Sequence, residues 1–438
     1  MKPVKKLCII LLISFTFIAC ASSNPHVTVD SAVDRGDFNE SIAELESNKD
    51  KVYSNKDAIL YYLDKGMLSH YAARYDESSQ LLQDGERAIE EAFTKSITQG
   101  IGTYLVNDKV RDYDGEDYEN IYLNAFNALN YYHRNDMENA KVEIRRMSEK
   151  LRDLAVKYDQ VRSNIQEAAL AEGGEIPPDP NSSTKFSDSA LARYLGMLFF
   201  RNESNIDDAR IYRDDLKVAF ANAPEVYNYA LPVSIDEELT IPSGKARLNV
   251  IGFGGLGPVK QEEVIRIPIT EGNWIKIALP VLTTRPSNIS RVEVVLNNGQ
   301  SFDLELLEDM EAVARETFKE KKGIIYLKSV LRATVKGTTS AALGAAGNNT
   351  EDDNTGLALG LLSLATQVYA EASEQADLRL ARYFPSGAYI GGINLDPGVY
   401  SLTIKYYDKS GKVLDSFDRN NVEVKENTLN LTEAICLK

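Results

Sequence analysis

Histidine and tryptophan are nearly missing from this chain, with three of the first and one of the second in 438 residues. The histidines, His26, His70 and His133, stand far apart. None falls in H-E-x-x-H or in Cys/His ligand spacing, so neither a zincin helix nor a zinc knuckle is written here. No G-x-S-x-G nucleophile elbow occurs either. Cysteine is as scarce: Cys8, Cys20 and Cys436 are all there is, which excludes a disulfide framework. Beyond the first twenty residues no segment has the length and purity of a membrane span. Basic residues are in deficit, 49 against 65 acidic, for a formal charge of −16. Such a surface repels nucleic-acid phosphates and anionic headgroups.

What is present begins at the N-terminus. Lys2, Lys5 and Lys6 precede an apolar run from Leu7 to Ile18, too short for a permanent span but suited to a signal peptide. It ends in Phe17-Ile18-Ala19-Cys20, followed by Ala21-Ser22-Ser23-Asn24. This resembles the bacterial lipobox, with Phe17 where Leu is usual. The resemblance implies cleavage before Cys20 and acylation of that cysteine. Residues 1–19 are then a signal peptide and 20–33 a lipidated tether, with the outer membrane, facing the periplasm, favoured because Ala rather than Asp follows Cys20. Loss of the three lysines takes the mature charge to −19. Fatty acyl chains, not a basic patch, must then hold the protein at the membrane.

From residue 34 to 231 apolar residues recur at helical spacing. One local pattern returns: Gly36-Asp37-Phe38, Arg74-Tyr75-Asp76, Asn135-Asp136-Met137 and Asn205-Ile206-Asp207, each with a small residue three beyond the apolar one. Helices expected at Ala58–Tyr71, Glu119–His133 and Ser189–Phe200 carry Gly66, Ala128 and Gly196 near their middles. The pattern resembles the tetratricopeptide (TPR) repeat, though its turns lie farther apart than a strict repeat allows. Such arrays offer a concave face to a peptide or helix. Tyrosines crowd the first helices, and Tyr62 and Tyr132 are the candidate partner-binding residues.

After residue 232 the period changes to alternation. Strands are expected at Ala246–Phe253, Val264–Ile269, Trp274–Pro280, Arg291–Asn297, Phe302–Leu306, Ala388–Leu395, Tyr400–Tyr407, Val413–Phe417 and Val422–Lys425. A helical insertion at about 308–376 divides them, read as an amphipathic helix Glu308–Lys321 and two apolar arms, Ile324–Ala345 and Gly356–Ala376. Lys328, Arg332 and Glu374 favour a hairpin packed on the sheet over one in a bilayer. The expected fold is therefore α+β: a TPR-like helical domain at 34–231, then an antiparallel β-sandwich-like domain at 232–438 with an inserted hairpin.

Leu105-Val106-Asn107-Asp108, Ala125-Phe126-Asn127-Ala128-Leu129-Asn130-Tyr131, Gly257-Pro258-Val259-Lys260, Asp309-Met310-Glu311-Ala312-Val313-Ala314 and Ala376-Asp377-Leu378-Arg379, with the lipobox, give the chain a resemblance to uncharacterised bacterial lipoproteins with a TPR-like first half. That implies company with outer-membrane and peptidoglycan assembly. Gly252-Phe253-Gly254-Gly255-Leu256-Gly257 fits G-x-G-x-x-G, but Pro258 and a strand follow where a dinucleotide site needs a helix. Asp112–Asp117 fails as an EF-hand, since Val110 and Ile121 occupy the terminal ligand positions, and reads as a solvated helix-start loop. The function expected is a lipid-anchored envelope scaffold binding a protein, with no catalytic residue, no metal, no small-molecule cofactor and no nucleic acid. A periplasmic cell-wall hydrolase using a carboxylate pair, or a membrane-inserting component, are the alternatives.

Overall fold

The computed structural model describes residues 26–98, 104–171, 184, 186–270, 273–348 and 374–438. Cys20, the signal segment, the Pro-rich stretch 176–183 and most of the second apolar arm lie outside the described residues.

The helical half is built from four helix–turn–helix units: α1 (Val27–Asp34) with α2 (Phe38–Ser47), α4 (Ala58–Tyr71) with α5 (Tyr75–Thr98), α6 (Asp117–His133) with α7 (Met137–Lys157), and α9 (Ala190–Asn202) with α10 (Ile206–Asn222). The short α3 (Lys49–Val52) and the single helix α8 (Asp159–Ala171) fill the gaps between units, and the four-residue α11 (Ser234–Glu237) follows the last unit. All four turns are the same object. Gly36, Ala73, Asn135 and Ser204 adopt left-handed backbone with φ of 73°, 57°, 59° and 59°. In each, that residue's N–H donates to the carbonyl three back, and the next N–H to the carbonyl five back. That is the Schellman closure, which satisfies carbonyls otherwise orphaned at a helix end. The following helix is then capped, by Asp37, Asp136 and Asn205 in three of the units. The small residues of the sequence pattern, Ser41, Ser78, Ala140 and Ala209, are all fully buried where paired helices cross. Gly66 and Gly196 serve the same closeness, since a Cβ on Gly196 would lie 2.3 Å from the Tyr212 ring. Successive units pack in order, α2 on α4, α5 on α6 and α7 on α9.

Two departures appear at the start. Val29, Ala32 and Val33 are buried, so the packed chain begins inside the segment expected to be tether. The Asp112–Asp117 loop does open a helix, but it is packed rather than solvated: Tyr113, Glu116 and Asp117 are buried under lysines from three other segments.

The strand-rich half contains β1 (Ala246–Gly254), β2 (Val259–Thr270), β3 (Asn273–Thr283), β4 (Arg291–Leu296), β5 (Ser301–Asp309), β6 (Gly387–Leu395), β7 (Gly398–Tyr407), β8 (Val413–Val424) and β9 (Asn430–Cys436). Seven of them form one sheet in the order β8-β7-β4-β5-β6-β1-β9, while β2 and β3 make a separate ribbon. β9 runs parallel to β1, the one parallel pairing in a sheet expected to be antiparallel throughout. The sheet curls until β8 approaches β9, and Arg419 of β8 donates to the Glu433 carbonyl. Inside the curl lie Leu248, Val250, Val292, Val294, Leu402, Ile404, Tyr406 and Ala434. The alternate residues of β1 and β9, Ile251, Phe253, Leu431 and Ile435, face the helices, as does Ile390 of β6. There they join Phe126, Leu129, Leu195 and Phe199 in a single hydrophobic core spanning both halves.

The insertion begins as one helix, α12 (Met310–Asn348), where two were expected. Packing against β3, α6 and α8 carries it through Gly323 without a break. No described helix is long and apolar enough to cross a membrane. The G-x-G-x-x-G residues link β1 to β2 with no helix after them.

Candidate functional site

A cleft opens where α5, the 108–116 loop, α7, the ribbon, α12 and residues 375–377 meet, with about 60 Å³ of water-sized space inside it. Phe93, Val161, Ala278, Pro280 and Ile324 supply apolar wall. Charges of both signs line the rest. Lys260 Nζ lies 2.5 Å from Glu116, and Lys321 Nζ lies 2.7 Å from Asp114 and 3.2 Å from Glu116. Lys157 pairs with Asp117 at 2.5 Å, and the Tyr158 hydroxyl donates to the other Asp117 oxygen. Lys328 faces Asp108 at 3.4 Å, and Arg332 is bound to Glu374.

The electrostatics of this lattice decide what it can do. Burial would raise the Asp114 carboxyl, but Lys321, Lys328 and Lys260 together hold it well below the ordinary range. Asp108 is lowered in the same way, against its burial, by Lys328 and Arg332. Burial would lower Lys321, yet Asp114 and Glu116 raise it well above its usual value. A general acid needs a raised pKa within reach of the substrate. Asp114 and Asp108 are shifted the opposite way. As arranged, the lattice ties the helical half to α12 and the ribbon.

Carboxyls that are raised lie in the core instead. Glu119 is pushed up to about 7 by burial and then by Glu116, while accepting from the Tyr113 hydroxyl and from the backbone N–H of Glu116 and Ala381. Asp64 is pushed up to about 6 by burial, and accepts from the Tyr53 hydroxyl and the Arg382 N–H. Glu308, raised by burial, takes bonds from the Tyr122 and Tyr227 hydroxyls, Ser189 and the Leu191 N–H at the start of α9. Each is enclosed by donors and fastens the strand-rich half to a helix.

A third node joins the histidines. His70 and His133, at corresponding places late in α4 and α6, converge on Glu433 of β9, at 3.2 Å and 2.5 Å. The other ring nitrogen of His70 lies 2.7 Å from the Asn130 side-chain oxygen. Asn130 is oriented by donating to Ser78, which donates to the Gly66 carbonyl. Both His70 nitrogens therefore lie against side-chain oxygens. Tyr75 stacks on His133, ring centroids 4.3 Å apart.

The candidate partner-binding tyrosines fare differently. The Tyr132 hydroxyl donates to the Leu429 carbonyl and accepts from the Leu431 N–H, so it is engaged with the chain's own β9 edge. Tyr71 donates to the Tyr383 carbonyl and Tyr122 to Glu308. Tyr62 is half-buried beside Tyr61 and opposite Gly85. Sequence pattern did not single out Glu308, Glu433 or Glu119, because carboxylates are abundant and only contact distinguishes these. The matched placement of His70 and His133 was the one available signal. Among the described residues no group of His, Cys, Asp and Glu could hold a metal ion. No protein-family profile matches the chain, and no curated protein matches it.

Proposed function

We propose that this protein is a lipid-anchored scaffold of the bacterial cell envelope, held by acylated Cys20 and engaging a protein partner through TPR-like helices. The observation that carries the reading is the fourfold recurrence of one turn, Schellman closure followed by a buried small residue, in units that pack side by side. Such arrays serve binding rather than chemistry. The β half already occupies the side that presents Tyr71, Tyr122 and Tyr132. A partner therefore meets the array elsewhere, at half-exposed Tyr62 or at the outer face of α10. There Ile211 and Val218, seven residues apart, are 56% and 54% exposed at the open end of the series. Membership among TPR-like envelope lipoproteins, outer-membrane placement and a role in outer-membrane or peptidoglycan assembly belong to the same proposal.

In-cell cross-linking and capture of the tagged protein, beside a Cys20→Ala control and an Ile211→Asp/Val218→Asp variant, tests it. Recovery of an envelope protein that weakens in the control or in the variant supports the scaffold. Recovery of the bait alone, from protein still helical, overturns it.

A further inference from the structure

The first described residue, His26, is six residues beyond Cys20. Even fully extended, that length reaches only about 20 Å. If Cys20 carries the lipid, the body cannot stand off from the bilayer, and the surface around α1 must lie against it. Beside the exposed acid Asp34 of α1, that surface gathers lysines and exposed aliphatic side chains.

His26 packs edge-on against Tyr53, ring centroids 6.1 Å apart, and the Asn48 side chain reaches Thr28. The start of α1 thus abuts the 48–56 segment, which carries Lys49, Lys51 and Lys56 against the single exposed acid Asp50. Lys56 extends the surface by donating to the Val110 carbonyl at 2.6 Å. Arg379 closes it: its guanidinium binds Asp57 and the carbonyls of Asp108 and Arg111. Exposed Lys109 adds a further cation, and exposed Asp112 a further anion, on this loop. Large apolar side chains stand out on the same surface: Val27 at 56% exposed, Val110 at 55%, Leu378 at 45% and Val106 at 41%.

We infer that the surface formed by Val27, Lys49, Lys51, Lys56, Lys109 and Val110 is the membrane-facing side of the protein, and that its partner is the anionic phosphate surface of the bilayer that holds Cys20. This rests on the lipoprotein reading of Cys20. Exposed aliphatic residues among lysines suit the headgroup boundary, where apolar groups enter the acyl edge and ammonium groups meet phosphate. The rest of the chain reinforces the orientation. A strongly negative body is repelled by anionic headgroups, within a Debye length of about 8–10 Å. Turning this lysine-bearing, apolar-studded face inward relieves that repulsion. The acyl chains supply the attachment and this face supplies the direction.

The test uses the acylated mature protein in phosphatidylethanolamine–phosphatidylglycerol vesicles containing a headgroup-nitroxide lipid. Environment-sensitive dyes are placed singly through Lys51→Cys, Val110→Cys and, three helical units away, Arg210→Cys. Native Cys436 is buried and stays unlabelled. Quenching at 51 and 110 at least threefold stronger than at 210 is the expected result. Equal quenching at all three sites, or stronger quenching at 210, overturns the inference while leaving the lipoprotein reading intact. Mass spectrometry of the N-terminal peptide reports separately on that reading: an unacylated Cys20 removes the premise for both. A Lys49→Glu/Lys51→Glu/Lys56→Glu/Lys109→Glu variant, still acylated and helical, should lose at least half of the quenching at 110. Undiminished quenching in that variant also overturns the inference.

Discussion

Replacing Glu433 by Gln probes whether the two halves are joined by charge or only by packing. The wild-type carboxylate sits between His70 and His133, with its own side chain and that of His70 almost fully enclosed. At 3.2 Å and an effective dielectric of about 20, a full charge pair with His70 is worth about 5 kcal/mol before desolvation is subtracted. Gln keeps the shape but offers one oxygen, so one ring N–H must face its amide N–H. Breaking a buried pair from one side costs about 3–5 kcal/mol. The pH dependence carries a sign. Burial would raise the Glu433 carboxyl, but the His70 charge and then the bonds from both histidines hold it well below its ordinary value of 4.5. A carboxyl lowered on folding stabilises the fold above its unfolded pKa and loses that contribution as pH falls toward the folded one. The gap between wild type and Glu433→Gln should therefore be full at pH 7 and shrink by about 1.4 kcal/mol per pH unit below about 4.5. Urea unfolding followed by circular dichroism across that range measures it. A cost under about 1 kcal/mol at pH 7, or a gap that widens on acidification, refutes the reasoning.

Other outcomes follow from the same contacts. Because Glu119 is raised to about 7, its ionisation opposes folding as pH climbs from about 4.5 to about 7. Glu119→Gln should remove that part of the stability slope, and an unchanged slope by urea titration would contradict the assignment. Gly196→Ala drives a methyl into Tyr212, so a loss of about 1–3 kcal/mol is expected, largely recovered in a Gly196→Ala/Tyr212→Ala double variant. A fragment of residues 26–231 should lack a cooperative thermal transition, because Phe253, Ile390 and Ile435 complete its core and Glu308 and Glu433 satisfy its donors. Sharp unfolding of the fragment would show that the halves fold independently.

Much of the fold was legible before any coordinates. Helix α4 spans the expected Ala58–Tyr71, and eight of the nine strands lie where alternation placed them, with Val413–Phe417 and Val422–Lys425 joined as the one strand β8. These are local properties: a period of 3.6 or 2, a capping residue, a small residue at a crossing. The repeated turn was visible as a pattern of polar and small residues, although its cause, a left-handed residue closing a Schellman motif, needs backbone angles. Strand β9 was missed. Asn430–Cys436 is short, carries Glu433 at its centre and gains strand form from parallel pairing with distant β1. The continuity of α12 through Gly323 has the same origin, since packing along β3, α6 and α8 outweighs a weak helix former.

The sequence alone determined the order of helices then strands and which residues form the recurring turns. All of that is written in neighbours a few positions apart. Only the tertiary structure decided which of the 65 acidic residues matter and what covers the tyrosines. Glu308 and Glu433 are chemically identical to dozens of surface carboxylates until folding strips their water and surrounds them with donors. Tyr132 passes for a binding residue until β9 arrives against it. A residue's neighbours along the chain set its secondary structure, but desolvation and charge pairing depend on groups hundreds of positions away, and those distances are closed by folding alone.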